Sequence, residues 1–167
     1  MIRTGATQKM LNIARKLFWE KGYNATSMRD IADAYGCKPA NIYNFFKKKE
    51  DILYEVLLEE MEQIVAPIEN LEEDDITDPE DQLRLFIESH LETTLSFRRS
   101  AKLLFDVGLD HLSPRRRKNI IDMRDRYDRI IRRIIRKGAV QNVFAPVDEK
   151  LAGFMIASMI TRSRLWY

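Results

Sequence analysis

The sequence predicts an all-α fold, a small basic head followed by a larger acidic helical body, and three observations lead there. Apolar residues recur at intervals of three and four along most of the 167 residues, with no sustained period-2 alternation. Gly22, Gly36, Pro39, Pro79, Pro114 and Gly138 fall where these periodic segments stop or start. The charge is also unevenly placed: residues 1–50 carry ten Lys or Arg against four Asp or Glu, and residues 51–167 carry 18 against 22. A basic unit joined to an acidic one is what a separate polyanion-binding head looks like, although chance clustering would give the same imbalance.

The elements follow in order. In the first helix Met10, Ile13, Ala14, Leu17 and Phe18 form one stripe, closed by Gly22 as a left-handed stop. The second begins at Thr26 or Ser27, where Ser27 and Asp30 have the spacing of a capping box, and ends at Gly36. A short third helix is expected from Pro39 to Phe46, with proline in its first turn, and a longer fourth one starts near Glu50 and Asp51. From Glu55 to Asp81 there are twelve acids and no base, so residues 69–78 read as a solvated loop. Further helices are expected over about 79–97, 100–109, 114–137 and 147–167, with Ser113-Pro114 marking one start and Gly138 one end. No internal repeat is present.

Composition excludes several classes. No apolar run approaches the roughly 18 residues of a membrane span and no signal peptide opens the chain, so a soluble, cytoplasmic protein with no membrane partner is expected. Cys37, the single cysteine, reads as a small turn residue, with redox sensing as the alternative. His90 and His111 lack metal-ligand spacing, although Asp106 and Asp110 are near them in sequence. There is no Ser-His-Asp order and no glycine-rich phosphate loop. No catalytic residue, metal or cofactor is expected.

Two helices joined by a tight glycine turn and braced by a preceding helix place a reading helix in the major groove. In the third helix, 100° per residue puts Ile42, Phe45 and Phe46 on the side facing Leu17, Phe18 and Ile31. Pro39, Ala40, Tyr43 and Asn44 fall on the other. The short Ala40 side chain permits close approach, Asn41 and Asn44 suit base edges, and Tyr43 with Lys47, Lys48 and Lys49 suits phosphates. Ser27 begins a helix whose free N–H groups suit another phosphate. The bland reading of Lys47 to Lys49 is a solvated turn.

The run from Thr26 to Leu53, TSMRDIADAYGCKPANIYNFFKKKEDIL, with the preceding ARKLFWEKGYNATS, closely resembles the helix-turn-helix of the tetracycline-repressor (TetR) family of bacterial regulators. The resemblance implies DNA contacts at Ser27, Arg29, Pro39, Ala40, Asn41, Tyr43 and Asn44, and a phosphate-binding lysine at Lys49. Lys38 stands among them where the family often has Ser or Thr, and Phe45 stands where many members have His. The resemblance further implies residues 1–48 as the DNA-binding head and 49–167 as a ligand-binding and dimerisation body. It implies a homodimer on a double-stranded DNA operator and a repressor released by ligand. A ligand-independent architectural DNA binder is the alternative. Family members usually carry one more helix, which this chain is expected to lack.

The helix from Pro114 to Lys137 joins an isoleucine-rich face to dense arginines. Interleaved Asp122, Asp125 and Asp128 favour intra-helical pairing over a second DNA or membrane patch. Phe86, Leu91, Phe97, Leu104, Phe105, Tyr127, Phe154 and Met155 are candidates to line an apolar ligand space, with core packing as the alternative. The ending RSRLWY looks like that of family members sensing acyl-coenzyme A. That likeness adds Arg162, Arg164 and Trp166 as candidates and a small hydrophobic ligand such as a fatty acyl-CoA as partner. A lipophilic cation would favour Glu88, Glu92 or Asp106 instead.

Overall fold

The structure is a computed structural model that describes residues 5–96 and 109–163. Their regular structure is all helical: α1 (Gly5–Lys21), α2 (Met28–Tyr35), α3 (Pro39–Ile42), α4 (Lys49–Val65), a 3-10 segment (Ala66–Glu72), α5 (Pro79–Ser96), a 3-10 turn (Leu109–His111), α6 (Pro114–Val140) and α7 (Glu149–Ser163). The fold class is as the sequence predicts; the helix expected over 100–109 lies, but for its last residue, outside the described residues. The chain divides into two compact units, Met1–Glu60 with Arg99–Lys118 and Met61–Arg98 with Asn119–Tyr167. The boundary expected at 48/49 is the start of α4, which stays with the head as far as Glu60.

In the head, α1 buries Met10, Leu11, Ala14 and Phe18, while Ile13 and Leu17 are only half-buried. Its buried face also carries Arg15, whose charge is met from α4. Arg15 bonds Glu59 and lies 3.5 Å from Glu60, and the Gln8 amide donates to Glu59 at 2.8 Å. Removing one member of such a group strands a buried charge, which costs about 3–5 kcal/mol. Gly22 (φ 84°) donates to the Phe18 carbonyl and ends α1. The capping box at Ser27 and Asp30 is formed in both directions, and Gly36 (φ 84°) closes α2.

The body is built around Ile68, Leu71, Phe86, Ile130, Ile131, Ile134 and Ile135, with Tyr127, Phe144 and Ile156 packed against them. The segment expected to be a solvated loop, residues 69–78, departs from that reading only in part: it begins inside the 3-10 helix, which buries Leu71, while residues 73 and 75–78 are exposed and outside any helix. Both parts are bonded to α6: Arg126 bonds Glu72 (2.7 Å) and Glu69 (3.2 Å). Arg133 donates to the carbonyls of Leu71 (3.0 Å) and Asp74 (3.2 Å) and bonds Asp75, and Lys137 donates to the Thr77 carbonyl (2.5 Å). Several pairings of α6 are therefore between elements. Arg132 with Asp128 (3.5 Å) is of the expected intra-helical kind, whereas Arg126, Arg129, Arg133 and Arg136 reach other segments.

Gly138 does not end its helix. The helix runs on to Val140, and Asn142 (φ 59°) supplies the left-handed residue. Gly138 is instead the seat of Phe144, since a Cβ there would lie 2.1 Å from Phe144 Cδ2.

Candidate nucleic-acid interface

The element expected to enter the groove is short. Pro39 opens α3 and the α geometry ends at Ile42, after which Asn44 and Phe45 donate to the carbonyls three residues back, tightening the chain into a turn. The expected helix to Phe46 is thus truncated. Ile42 and Phe46, four apart, are fully buried and anchor the segment. Between and around them Lys38, Pro39, Ala40, Asn41, Tyr43, Asn44, Lys47 and Lys48 are all exposed. Phe45 corrects the expectation: it is 37% exposed, because the Ile42/Phe46 pair fills the inward face and leaves Phe45 on its rim beside Tyr43.

Ser27 and Arg29 are exposed at the start of α2. The Ser27 hydroxyl is already engaged, accepting from the Asp30 amide (3.1 Å) and donating to the Asp30 carboxylate (2.6 Å). The Ser27 hydroxyl, and after it the Ser27 amide donating to the same carboxylate (2.7 Å), hold the Asp30 carboxyl below its usual range. The first-turn amides of Met28 and Arg29 have no intrahelical partner by construction, and they are what α2 offers an anion.

Lys49 is placed differently from Lys47 and Lys48. Its ammonium donates to the carbonyls of Tyr23 and Thr26, both at 2.6 Å, and lies 4.2 Å from the centre of the Tyr23 ring. Partial burial lowers its pKa from the ordinary lysine value. Tyr23 also meets Phe18 edge-on at 5.2 Å and His111 at 4.6 Å.

Sequence reasoning missed the groups that fix the start of α4. The Ser113 amide donates to Glu50 (2.9 Å), and Arg116 bonds Asp51 (2.6 Å) and Glu50 (3.2 Å). Glu50 is pulled to about 2, first by its bond with Lys48 and then by the Ser113 amide. Partners more than 60 residues apart leave no periodic trace in a sequence.

Of the ligand candidates, Phe86 is fully buried with its ring 4.8 Å from that of Tyr127, and Leu91 is half-buried. They are joined by His90, which is 5% exposed with Nδ1 2.7 Å from the Tyr127 hydroxyl. Burial pushes the imidazole down to about 4 and the Tyr127 phenol well up, so the pair is neutral. Phe154 and Met155 do not join this group. They are 68% and 53% exposed, because Gly153 and Ile160 form the inward side of α7 and these two fall away from it. Arg162 is exposed in the last turn of α7, and Glu88 and Glu92 are exposed on α5. Phe97, Leu104, Phe105, Asp106, Arg164 and Trp166 lie outside the described residues. Among the described residues no three His, Cys, Asp or Glu are placed to hold a metal, and no helix is long and apolar enough to cross a membrane.

Residues 10–56 match the family description "Bacterial regulatory proteins, tetR family", and residues 77–167 match "Tetracyclin repressor-like, C-terminal domain". The chain is similar to the crystal structure of the TetR family transcriptional regulator PfmR from Thermus thermophilus. The two share 38% identity and a TM-score of 0.87, over 98% of this chain and 87% of that one. Over 162 residues, 95% of this chain and 78% of the relative, it is 26% identical to the transcriptional repressor KstR2 of Mycolicibacterium smegmatis. It is 42% identical to KstR2 of Rhodococcus jostii over 55 residues, 33% of this chain and 27% of that protein. AibR, solved in complex with isovaleryl coenzyme A and operator DNA, shares the fold, with 21% identity and a TM-score of 0.82 over 97% of this chain and 87% of that one. The chain belongs to the TetR family of DNA-binding, ligand-responsive bacterial regulators.

Proposed function

We propose that this chain is a repressor that holds a partly palindromic operator as a homodimer and lets go when a small hydrophobic ligand binds its helical body. The observation that carries the reading is the run from Lys38 to Lys48, which is exposed everywhere except at its two anchors, Ile42 and Phe46. Ala40, Asn41 and Asn44 face the bases, Lys38 and Pro39 set the approach, and Tyr43 with Lys47 and Lys48 takes phosphates. Ser27 and Arg29 add contacts at the start of α2.

Dimerisation is supported by α7, which carries Leu151, Phe154, Met155 and Met159 at 53–68% exposure, with Val140, Val143 and Val147 exposed just before it. Apolar residues at helical spacing and this degree of exposure fit a self-complementary interface between two copies.

The ligand is a fatty acyl chain or its coenzyme A thioester. Phe86 and Tyr127 supply an apolar wall, and the neutral His90–Tyr127 pair can meet a carbonyl without charge. Of the carboxylates a lipophilic cation would need, Glu88 and Glu92 are exposed, and Asp106 lies outside the described residues. The AibR complex with isovaleryl coenzyme A supports the reading at the level of the shared fold.

Selection of bound genomic fragments followed by footprinting tests the DNA half. Two half-sites with centres about 34 Å apart, or a multiple of that, are expected. A single half-site bound by a monomer refutes it. Titrating the complex with long-chain acyl-coenzyme A, free fatty acid and a lipophilic cation tests the ligand half. DNA release by an acyl ligand is expected, and release by the cation alone refutes it.

A further inference from the structure

We infer that Arg115 and Arg117, in the first turn of α6, extend the DNA-binding surface of the head: they take backbone phosphates next to those held by Lys47 and Lys48. The inference rests on the head being the DNA-binding unit.

Arg115 to Lys118 are four consecutive bases, with no acid after them before Asp122. They open α6, whose first turn carries no acid. Cations at that end of a helix face the positive end of its dipole, which disfavours them, and an anion from outside relieves the conflict. The interleaved acids that argue for pairing within α6 begin at Asp122 and do not reach these four. The helix divides at the same point: residues up to Lys118 belong to the compact unit of the head, and Asn119 opens the part that belongs to the body.

Two contacts fix where the cluster sits on the head. The His111 ring lies 4.6 Å from that of Tyr23, in the turn that leads to the Ser27 cap of α2. Glu50 accepts from the Ser113 amide (2.9 Å) and from Arg116 (3.2 Å), and the same carboxylate bonds Lys48 (2.5 Å). A single carboxylate therefore stands between the arginines and the basic turn at 47–49, and the two form one continuous basic surface. With Arg116 turned to α4, Arg115 and Arg117 lie 100° to either side of it on the helix, and both are exposed. Among the described residues Arg115 has no acid partner. Arg117 pairs with Asp110 at 2.8 Å, with side chains 49% and 79% exposed. So exposed a pair is worth little, and a phosphate can replace the carboxylate, since a guanidinium meets it with two parallel N–H bonds.

The test compares wild type, the double variant Arg115→Gln/Arg117→Gln, and a control that removes two equally exposed charges from the body, Arg84→Gln/Arg129→Gln. Affinities for the operator selected from genomic fragments and for a mixed-sequence duplex are measured over a range of salt concentrations. Phosphate-ethylation interference then maps the operator. Each lost phosphate contact lowers the slope of log affinity against log salt by about 0.9. The Arg115/Arg117 variant is expected to lower it by about 1.8 per head on both duplexes and to keep the ratio of the two affinities within about twofold of wild type. Ethylation at certain phosphates of each half-site is expected to hinder wild type but not this variant. The control is expected to keep its slope within about 0.3 per head of wild type. A wild-type slope or an unchanged interference pattern in the Arg115/Arg117 variant overturns the inference and leaves the DNA-binding reading standing, and so does an equal fall in the control. If wild type binds neither duplex, the DNA-binding reading fails and the inference falls with it.

Discussion

His90 makes the body of this protein acid-sensitive over a window that its carboxylates do not cover. The imidazole is 5% exposed, bonded through Nδ1 to the Tyr127 hydroxyl, and held neutral down to about 4 by burial, against 6.5 for a free histidine. Its folded pKa is depressed, so the unfolded chain takes up a proton as the pH falls below 6.5 while the folded chain does not. The stability it contributes is complete above about 6.5 and is lost as the pH falls to about 4. A difference of about 2.5 units at 1.36 kcal/mol each corresponds to about 3 kcal/mol, on the order of a third of the stability of a small domain. Replacing His90 by Gln, whose amide can donate or accept, keeps a hydrogen-bonding group for the Tyr127 hydroxyl and removes the titration. Urea unfolding followed by circular dichroism at several pH values should therefore show wild type losing about 3 kcal/mol more than His90→Gln between neutrality and pH of about 4. Parallel pH profiles for the two proteins would refute the reasoning. So would an NMR titration of the folded His90 ring with a midpoint near the free value.

Three further outcomes are expected. Asn44→Ala should cost about 1–3 kcal/mol on the selected operator and little on unrelated DNA, read by fluorescence anisotropy; equal losses on both would contradict its place on the base-reading face. Phe154→Glu, on the exposed face of α7, should shift sedimentation from dimer to monomer at micromolar concentration without lowering the melting temperature of the monomer. At Gly138, Ala would gain about 1 kcal/mol of helix propensity but meets the Phe144 ring at 2.1 Å, an overpacking worth about 1–3 kcal/mol. Gly138→Ala should thus destabilise the wild type yet stabilise a Phe144→Ala background, and the reversal of sign in thermal melts is the check.

What could be read from the sequence was what is local. Ser27 with Asp30, Gly22, Gly36 and Pro39 each act within four residues of themselves, and the structure places all of them as their chemistry demands. The burial pattern of the segment expected to read DNA was also legible, because its exposed and buried positions follow one helical period; Phe45, at the edge of that period, was the position that went the other way. What spacing cannot encode is pairing at long range. Arg15 with Glu59, Arg116 with Asp51 and Lys49 with the turn carbonyls join residues 44, 65, 26 and 23 apart. The acidic tract shows a subtler limit. Twelve acids without a base read as solvated only while the arginines of α6 are assigned to their own helix, and the Asp residues interleaved there invited that assignment. Gly138 was misread for a similar reason, since a glycine near a helix end signals a stop unless a distant ring needs the space.

The clamp that α6 places on the segment around Glu69 to Thr77 also bears on where a nucleic acid can go. A helix so dense in guanidinium groups would, left bare, compete with the head for any duplex nearby. Here Glu69, Glu72 and Asp75, together with the carbonyls of Leu71, Asp74 and Thr77, already occupy Arg126, Arg133 and Lys137. Because these acids belong to the same chain, their effective concentration is in the millimolar range or above, far beyond that of free duplex in solution. A polyanion reaching these three side chains would have to displace partners that cannot diffuse away.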